Sequence, residues 1–496
     1  MRKDFKKIVS LGKFYFVGRI LEKSLPFLFL PLYTKYLTPV DYGVLSLLTI
    51  LVSWSEKVVA APIGNGITRH FYDPTLQEVQ REMIFSGWVF TFVQSIALSL
   101  CFVLFGEKIS EQYLGDLRYV NIVFMFAFVM LTQPLGTLMF SLLRIQSKAK
   151  LYVTGNLIIF TSSAILQVLL LVYFEMGLEA MVWGVLFTSF AKLIFIFPFT
   201  LRNLTPKFNW VVLKQILHFG YPLIIAAVIA VLSKTLDRVL LNYYFDLAMV
   251  GLLALALKIA SILDFAISTP FKQTIVPIIY EKESNKKEQL EFMRRMTTYV
   301  VAAVLFCTLG LSVFAKEIIM VVSTNPEFHE SWKVVPFLLF TTANEGVAIM
   351  FGNGMAMAKK SLMISVTSFY VFIVNTLLLV VLIQLLGLVG AGVASAIAFT
   401  FRNVIRGYYS NKYYGQTFEN RKIVAITGLS ILLYIFSLQF NSLQLLFLIP
   451  AKLLVVGLLP VLIWKFNLIS RSDKKLVVDF ASQVYKDGLK SALKRS

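Results

Sequence analysis

Cysteine, histidine and charge are scarce in this chain. Its 496 residues include two cysteines, Cys101 and Cys307, and three histidines, His70, His218 and His329. Two cysteines in separate apolar stretches build neither a disulfide framework nor a thiolate metal site, and no two histidines have a ligand spacing such as H-x-x-x-H. Metal chemistry is therefore not expected, and both cysteines are expected to serve packing. No G-x-x-x-x-G-K-[ST] run occurs, so the usual nucleotide site of an ATP-driven pump is missing. Charged residues make up 15% of the chain, against roughly 25% in typical soluble domains.

Apolar side chains fill the place of charge: 58% of the residues are hydrophobic and 14% aromatic. Runs of about 18 or more apolar residues recur from end to end, each long enough for the ~30 Å hydrocarbon core of a bilayer. The pattern predicts an all-α, polytopic membrane protein of about 14 transmembrane helices. These fall at 12–34, 42–67, 83–106, 119–142, 151–174, 177–201, 216–243, 248–280, 297–322, 334–358, 363–386, 388–410, 423–440 and 443–465.

The net charge of +20 raises the question of nucleic acid, and its distribution answers it. With the N-terminus inside, 31 Lys and Arg fall on the cytoplasmic side and five on the other (Lys35, Lys108, Arg118, Lys316, Lys333), residues at span ends being counted with the side they adjoin. The positive-inside rule then puts both termini in the cytoplasm, and no nucleic-acid partner is expected. The opening Met1-Arg2-Lys3-Asp4-Phe5-Lys6-Lys7 resembles a signal-peptide n-region. Arg19, Glu22 and Lys23 interrupt the stretch that follows and no small-residue cleavage site comes after it, so the first span is expected to be retained. The 281–296 connector reads as a cytoplasmic helical link. The basic tail at 470–496 has apolar Leu476, Phe480 and Val484 near helical spacing, which suits either an anionic membrane surface or solvent.

The chain also repeats itself. An offset of 208 aligns 42–73 with 250–281 without a gap, with seven of 32 positions identical. Gly43 falls on Gly251, Glu56 on Asp264, Pro62 on Pro270 and Tyr72 on Tyr280. The preceding spans carry Arg19-x-x-Glu22-Lys23 and Lys234-x-x-Asp237-Arg238 at an offset of 215, and an offset of 210 pairs Gly177-Leu178 with Gly387-Leu388 and Lys192 with Arg402. Two pseudo-symmetric six-helix lobes are expected, at 1–210 and 211–415, followed by two additional helices at 416–469 and the basic cytoplasmic tail. An even helix count gives both lobes the same membrane orientation, with a cavity between them.

Of the 11 remaining bases, within or at the ends of spans, ten are Arg19, Lys23, Lys57, Lys192, Lys234, Arg238, Lys258, Lys272, Arg402 and Lys452. The acids there are Glu22, Glu56, Asp237, Asp264 and Glu345. Each charge at mid-bilayer costs about 2.5–3.5 kcal/mol even on a translocon scale, so most are not expected to face lipid. The two triplets fit structural ion-pair ladders as well as a binding site. Lys57, Lys272 and Lys452 fit snorkelling to an interface equally well. The positive surplus points to an anionic cargo, and the planar forks of Arg19, Arg238 and Arg402 suit phosphate oxygens. The candidate substrate site is Arg19, Lys23, Lys192, Lys234, Arg238 and Arg402. Glu22, Glu56, Asp237 and Asp264 are candidates for supporting ion pairs or coupling. Lys192 and Arg402, with no acid within one helical turn in sequence, are the least accounted for by ion-pair ladders.

Several of these residues also carry a resemblance. Gly18-Arg19, then Leu30-Pro31-Leu32-Tyr33-Thr34-Lys35-Tyr36-Leu37-Thr38-Pro39 and Asp41-Tyr42-Gly43, look like the first two spans of Wzx-type polysaccharide flippases of the multidrug/oligosaccharidyl-lipid/polysaccharide exporter superfamily. Asp237-Arg238 with Gly251 and Ala254 is similar to the family's second-half signature, and Gly387 to Gly392 to its glycine-rich twelfth span. Lys258 in span 8 departs from the usual pattern. The resemblance implies two six-helix lobes around a V-shaped cavity and export of an undecaprenyl-diphosphate-linked oligosaccharide by alternating access, for surface polysaccharide such as O-antigen, lipopolysaccharide or exopolysaccharide. It implies a transporter, not an enzyme, in the bacterial inner membrane, with no cofactor and with Na⁺ or H⁺ as candidate coupling ions. Its partners would be the lipid-linked substrate, membrane lipids, the polymerase and other polysaccharide-assembly proteins. A peptidoglycan-precursor (lipid II) flippase shares the helix count and a cationic cavity, and a cation-coupled multidrug exporter shares the superfamily. A membrane glycosyltransferase or polymerase needs a large external loop, and the external connectors here are short.

Overall fold

The computed structural model describes residues 27–146, 148–442 and 444–468. All regular structure among the described residues is helical, as a bilayer demands of a chain whose backbone groups must be satisfied internally. The main helices are α1 Leu30–Tyr36, α2 Pro39–Ser55, α3 Ala61–His70, α4 Gln80–Leu104, α5 Val120–Ile145, α6 Ala149–Val172, α7 Leu178–Asn203, α8 Trp210–Gly220 and α9 Pro222–Tyr244. They continue with α10 Leu247–Leu263, α11 Thr269–Glu281, α12 Lys286–Val313, α13 Ala315–Val322, α14 Val335–Met357, α15 Ser361–Tyr414, α16 Asn420–Ser437 and α17 Leu445–Lys465. The protein is an all-α polytopic membrane protein: twelve helical stretches among the described residues are long and apolar enough to cross a membrane.

One of those stretches, Leu362–Tyr414, is double. Gly387 breaks α15 with φ 55° and ψ −129°. A Cβ on Gly390 would lie 1.9 Å from the carbonyl oxygen of Leu382, whereas residues eight apart in a straight helix are separated by ~12 Å along the axis. The chain has therefore reversed, and spans 363–386 and 388–410 are separate passes. The expected span at 12–34 lies mostly outside the described residues, as does the tail from 469. The helical link expected at 281–296 is instead largely the start of α12, which runs from Lys286 without interruption and buries Gln289 under a bond to the Ile279 carbonyl.

The repeated stretches fold alike. α2 passes into α3 through a π-helical turn at Glu56–Ala60, and α10 passes into α11 through one at Asp264–Ser268, the repeat-related position. Pro62 and Pro270 follow at matching places. A proline lacks the N–H that would bond the carbonyl four residues back, and its ring crowds that carbonyl, which here belongs to Val58 or Ala266 inside the widened turn. Gly177, which precedes α7, has φ 52° and ψ −128°, nearly the angles of Gly387, in a region that side chains with a Cβ rarely enter.

Packing divides the chain into two compact units. The first comprises Met1–Ala266, Lys316–Leu338 and Ser365–Phe401. Within it, Thr38 and Asp41 cap α2 reciprocally, and α2 lies against α10 at two glycines. A Cβ on Gly43 would stand 2.0 Å from the Leu247 carbonyl oxygen, and one on Gly251 would stand 1.8 Å from that of Pro39. Residue 43 corresponds to 251 in the repeat and 247 to 39, so the seam is self-complementary in the manner of a two-fold contact. Around Ile63, Ile67, Met83, Leu138 and Ile216 a buried apolar cluster joins α3, α4, α5 and α8.

Gly43→Ala or Gly251→Ala forces backbone apart at that seam. Each is expected to destabilise by about 1–3 kcal/mol, read as a lower thermal midpoint of the solubilised protein. Gly428→Ala, where nothing lies within 4 Å of the new methyl, is the control and should match or exceed the parent.

The second unit comprises Ile267–Ala315, Leu339–Ile364 and Arg402–Ser496. Its α12 packs on α16 and α17, Thr298 on α12 donates to Glu419, and Gln416 bridges the Gly354 amide and the Met350 carbonyl. Lys452 on α17 is 1% exposed with its ammonium 6.0 Å from the Phe314 ring, so it is buried and not snorkelling. Cys307 is partly buried, but Cys101 in the first unit, expected to pack, is exposed on its helix.

Candidate functional site

In the first unit the informative charges gather where α9 and α10 meet the head of α2. Asp237 is buried, and its carboxylate accepts the backbone N–H of Arg238 at 2.8 Å. The Arg238 guanidinium lies 3.9 Å from that carboxylate, donates to the Lys234 carbonyl at 3.3 Å and reaches the Ser46 hydroxyl at 3.4 Å. Its Nε is buried without a hydrogen-bond partner among the described residues. One turn up α2 from Ser46, the Lys258 ammonium sits 4.5 Å from the centre of the Tyr42 ring. That ring packs edge-on against Phe328, and its hydroxyl is buried without a partner among the described residues. Lys258, unassigned by the family pattern, is thus held by an aromatic face, with no carboxylate in ion-pair reach among the described residues.

Arg402, in the second unit, departs from its expected isolation. Its guanidinium lies 4.0 Å from Glu345 on α14 and donates to the Asn344 carbonyl at 3.5 Å. Asn403 donates to the same carbonyl and to the Asn344 side chain, both at 3.0 Å. Arg406, one turn along α15, has Glu345 as its electrostatic partner too. Arg402 and Arg406 thus share one carboxylate as electrostatic partner. Arg406 falls inside the span at 388–410, and its spacing of four from Arg402 is the signal that places both on one helical face.

Lys192 on α7 packs its stem against Gly136 of α5, where an added Cβ would meet it at 3.1 Å, and its ammonium lies 5.7 Å from the Phe160 ring. Lys192 and Arg402 each stand 15 residues beyond the glycine turns at 177 and 387, about 22 Å along their helices. Glu56, a candidate for a supporting ion pair or for coupling, accepts from Gln133 at 2.7 Å and Thr137 at 2.9 Å through one oxygen. Asp264 opens the second π turn. Lys234 is exposed and close to Arg238 through its carbonyl. The structure therefore brings together Lys234, Asp237 and Arg238 in one unit and Arg402 with Glu345 in the other. Arg19, Glu22 and Lys23 lie outside the described residues.

With this geometry in hand, the chain can be set beside known proteins. The sequence pattern of a family described as "polysaccharide biosynthesis protein" matches residues 33–333. Lsg locus putative protein 1 of Haemophilus influenzae is 23% identical over 343 residues, covering 68% of this chain and 82% of its own length. The probable low-salt glycan biosynthesis flippase Agl15 of Haloferax volcanii is 21% identical over 434 residues, 82% of this chain and 84% of the relative. Among solved structures, the lipid II flippase MurJ in an inward closed conformation superposes with a TM-score of 0.70 at 14% identity, covering 93% of this chain and all of that one. An inward-facing multidrug transporter of the MATE family gives 0.59 at 12% identity over 81% of this chain and 94% of its own. The fold is the one these two transporters share.

Proposed function

The chain belongs to the polysaccharide biosynthesis protein family, and on that premise we propose that it is a flippase carrying a lipid-diphosphate-linked oligosaccharide of the undecaprenyl type across the bacterial inner membrane by alternating access. It is a transporter, in keeping with relatives named as a flippase and fold neighbours named as transporters. The observation that carries the substrate class is the Arg402–Arg406 pair around Glu345, two planar, permanently charged forks on one face of a membrane-spanning helix. A diphosphate presents the oxygens such forks bind best. Arg19, Lys23, Lys192, Lys234 and Arg238 complete the basic set, with Glu22 and Asp237 holding basic heads in place. The repeated π turns and glycine turns support two six-helix repeats, at 1–210 and 211–415, as the alternating elements. Partners would be membrane lipids, the polymerase and other polysaccharide-assembly proteins.

A lipid II flippase is the second reading, favoured by the MurJ likeness across 93% of the chain. Complementation separates the two: rescue of a strain lacking its surface-glycan flippase supports the first, and rescue of one lacking its lipid II flippase supports the second.

Both termini and the 281–296 stretch are proposed to be cytoplasmic, as the basic residues there require. Alkaline-phosphatase fusions after Ser496 and within 281–296 should be inactive. Activity at either point would overturn the orientation.

A further inference from the structure

Where α14 passes into α15, the second unit gathers lysines around tyrosine rings. The arms of α15 run 26 residues back from Gly387 to Ser361 and 25 forward to Lys412, roughly 38–39 Å of helix each. A bilayer's apolar core is ~30 Å thick, and its headgroup layers bring it to about 40–45 Å. Arms of that length that cross the core end among headgroups. At that end the Lys360 and Lys412 ammoniums lie 6.0 Å and 5.9 Å from the centre of the Tyr413 ring. Tyr409 stacks on Tyr413, and Tyr408 meets Tyr409 edge-on while staying exposed. On the adjoining start of α12, the Lys286 ammonium lies 5.0 Å from the ring of Tyr414, whose hydroxyl bonds Gln289.

The backbone beside this cluster is strained. Lys359 follows α14 in the left-handed region at φ 56°, the place that Gly415, at φ 80°, takes after α15. The Lys360 N–H reaches back to the Met355 carbonyl and completes the cap. Glycine takes that conformation freely and a Cβ opposes it, so a lysine there points to a use for its side chain. The neighbouring acids are engaged by other groups. Glu288 pairs with Lys282, Glu291 with Arg295, and Glu419 with Lys422 and the Thr298 hydroxyl. Glu283 acts on Tyr414 electrostatically and makes no ion pair with the four lysines. Two ammoniums beside one ring repel each other, and an anion between them removes the repulsion. Tyrosines suit the depth of headgroups, where an apolar ring and a polar hydroxyl are both accommodated. One turn deeper on α15, Val404 is exposed on the same face as Tyr408. That face suits an acyl chain, which a free phosphate does not have.

We propose that Lys286, Lys359, Lys360 and Lys412, with Tyr413, bind the phosphodiester headgroup of an anionic phospholipid, whose acyl chains lie along Tyr408 and Val404. The site does not depend on what the chain carries, so its test needs no transport. In detergent micelles containing phosphatidylglycerol, the full chain should unfold at a higher temperature than with the same fraction of phosphatidylcholine. The lipid fraction at half-effect reports affinity. A lysine near an anionic surface contributes about fivefold in affinity. Exchanging Lys286, Lys360 and Lys412 together for Gln should therefore raise the half-effect fraction roughly a hundredfold, and exchanging them for Arg should largely preserve it. Exchanging Lys108, Lys150 and Lys214 for Gln removes the same charge from exposed positions in the first unit and should leave the response unchanged. Should the first triple variant not fold, Lys412→Gln alone should weaken the response about fivefold. Lys359→Gly should raise the midpoint without lipid, because the backbone relaxes, and weaken the response to phosphatidylglycerol, because a charge is lost. A full response in the Lys286, Lys360 and Lys412 variant, an equal loss in the Lys108, Lys150 and Lys214 variant, or the same rise from inorganic phosphate alone would overturn the inference.

Discussion

Exchanging Arg402 for Gln is expected to stop glycan export while protein remains in the membrane near the parental level. The residue stands about 22 Å down its helix from the Gly387 turn, with a side chain 12% exposed beside Glu345. A charge-assisted hydrogen bond to phosphate contributes about 1.5–3 kcal/mol, or roughly 10- to 150-fold in transport at subsaturating substrate. Arg402→Lys keeps the charge and loses the fork, so it should fall between the two. Because Arg402 has an acidic neighbour in space, a purely structural role must be tested directly. If the guanidinium served only to neutralise Glu345, then Arg402→Gln with Glu345→Gln would remove both members of the pair and restore export. A binding role predicts that the double variant stays inactive. Export restored in that variant, measured as surface glycan at matched protein levels, would make Arg402 a structural residue.

An imposed membrane potential is expected to change transport more than any single substitution. A diphosphate carries about two negative charges, and moving them outward down an inside-negative potential of ~100 mV releases roughly 4–5 kcal/mol. That corresponds to more than about a thousandfold in the distribution of the lipid across the membrane. Vesicles holding the purified chain and a potassium-diffusion potential should accumulate the diphosphate lipid on the positive side, and reversing the potential should reverse the direction. Movement that ignores the potential and follows only an ion gradient would mean the charge is compensated during the cycle.

Repetition was the most legible part of the sequence. Acid on acid and proline on proline at an offset of 208 marked the two places where the helix widens into a π turn. The Gly177 and Gly387 pair marked two chain reversals with the same backbone angles. Those features are local: a proline or a glycine acts on its own turn whatever packs outside it. Pairing across helices was not legible. Glu345 and Arg402 are 57 residues apart on α14 and α15, and Glu56 finds Gln133 and Thr137 on α5. Periodicity reports which face of a helix is buried, and says nothing of which neighbour that face meets. Lys258 illustrates the same limit, because its partner is an aromatic ring that no charge count registers. Apolar surroundings point to packing for Cys101, yet in a lipid-facing helix they are equally the mark of an exposed position, which is what Cys101 occupies.

The most direct measurement is headgroup selectivity of the purified chain in liposomes, followed as loss of reporter accessibility from one leaflet. A polyprenyl diphosphate bearing a short glycan should change leaflets in the presence of the protein, and a neutral glycolipid of the same length should not. The Arg402→Gln protein should leave the diphosphate lipid where it started. Equal movement of neutral and diphosphate lipids, or transport confined to cationic drugs, would contradict the proposed function.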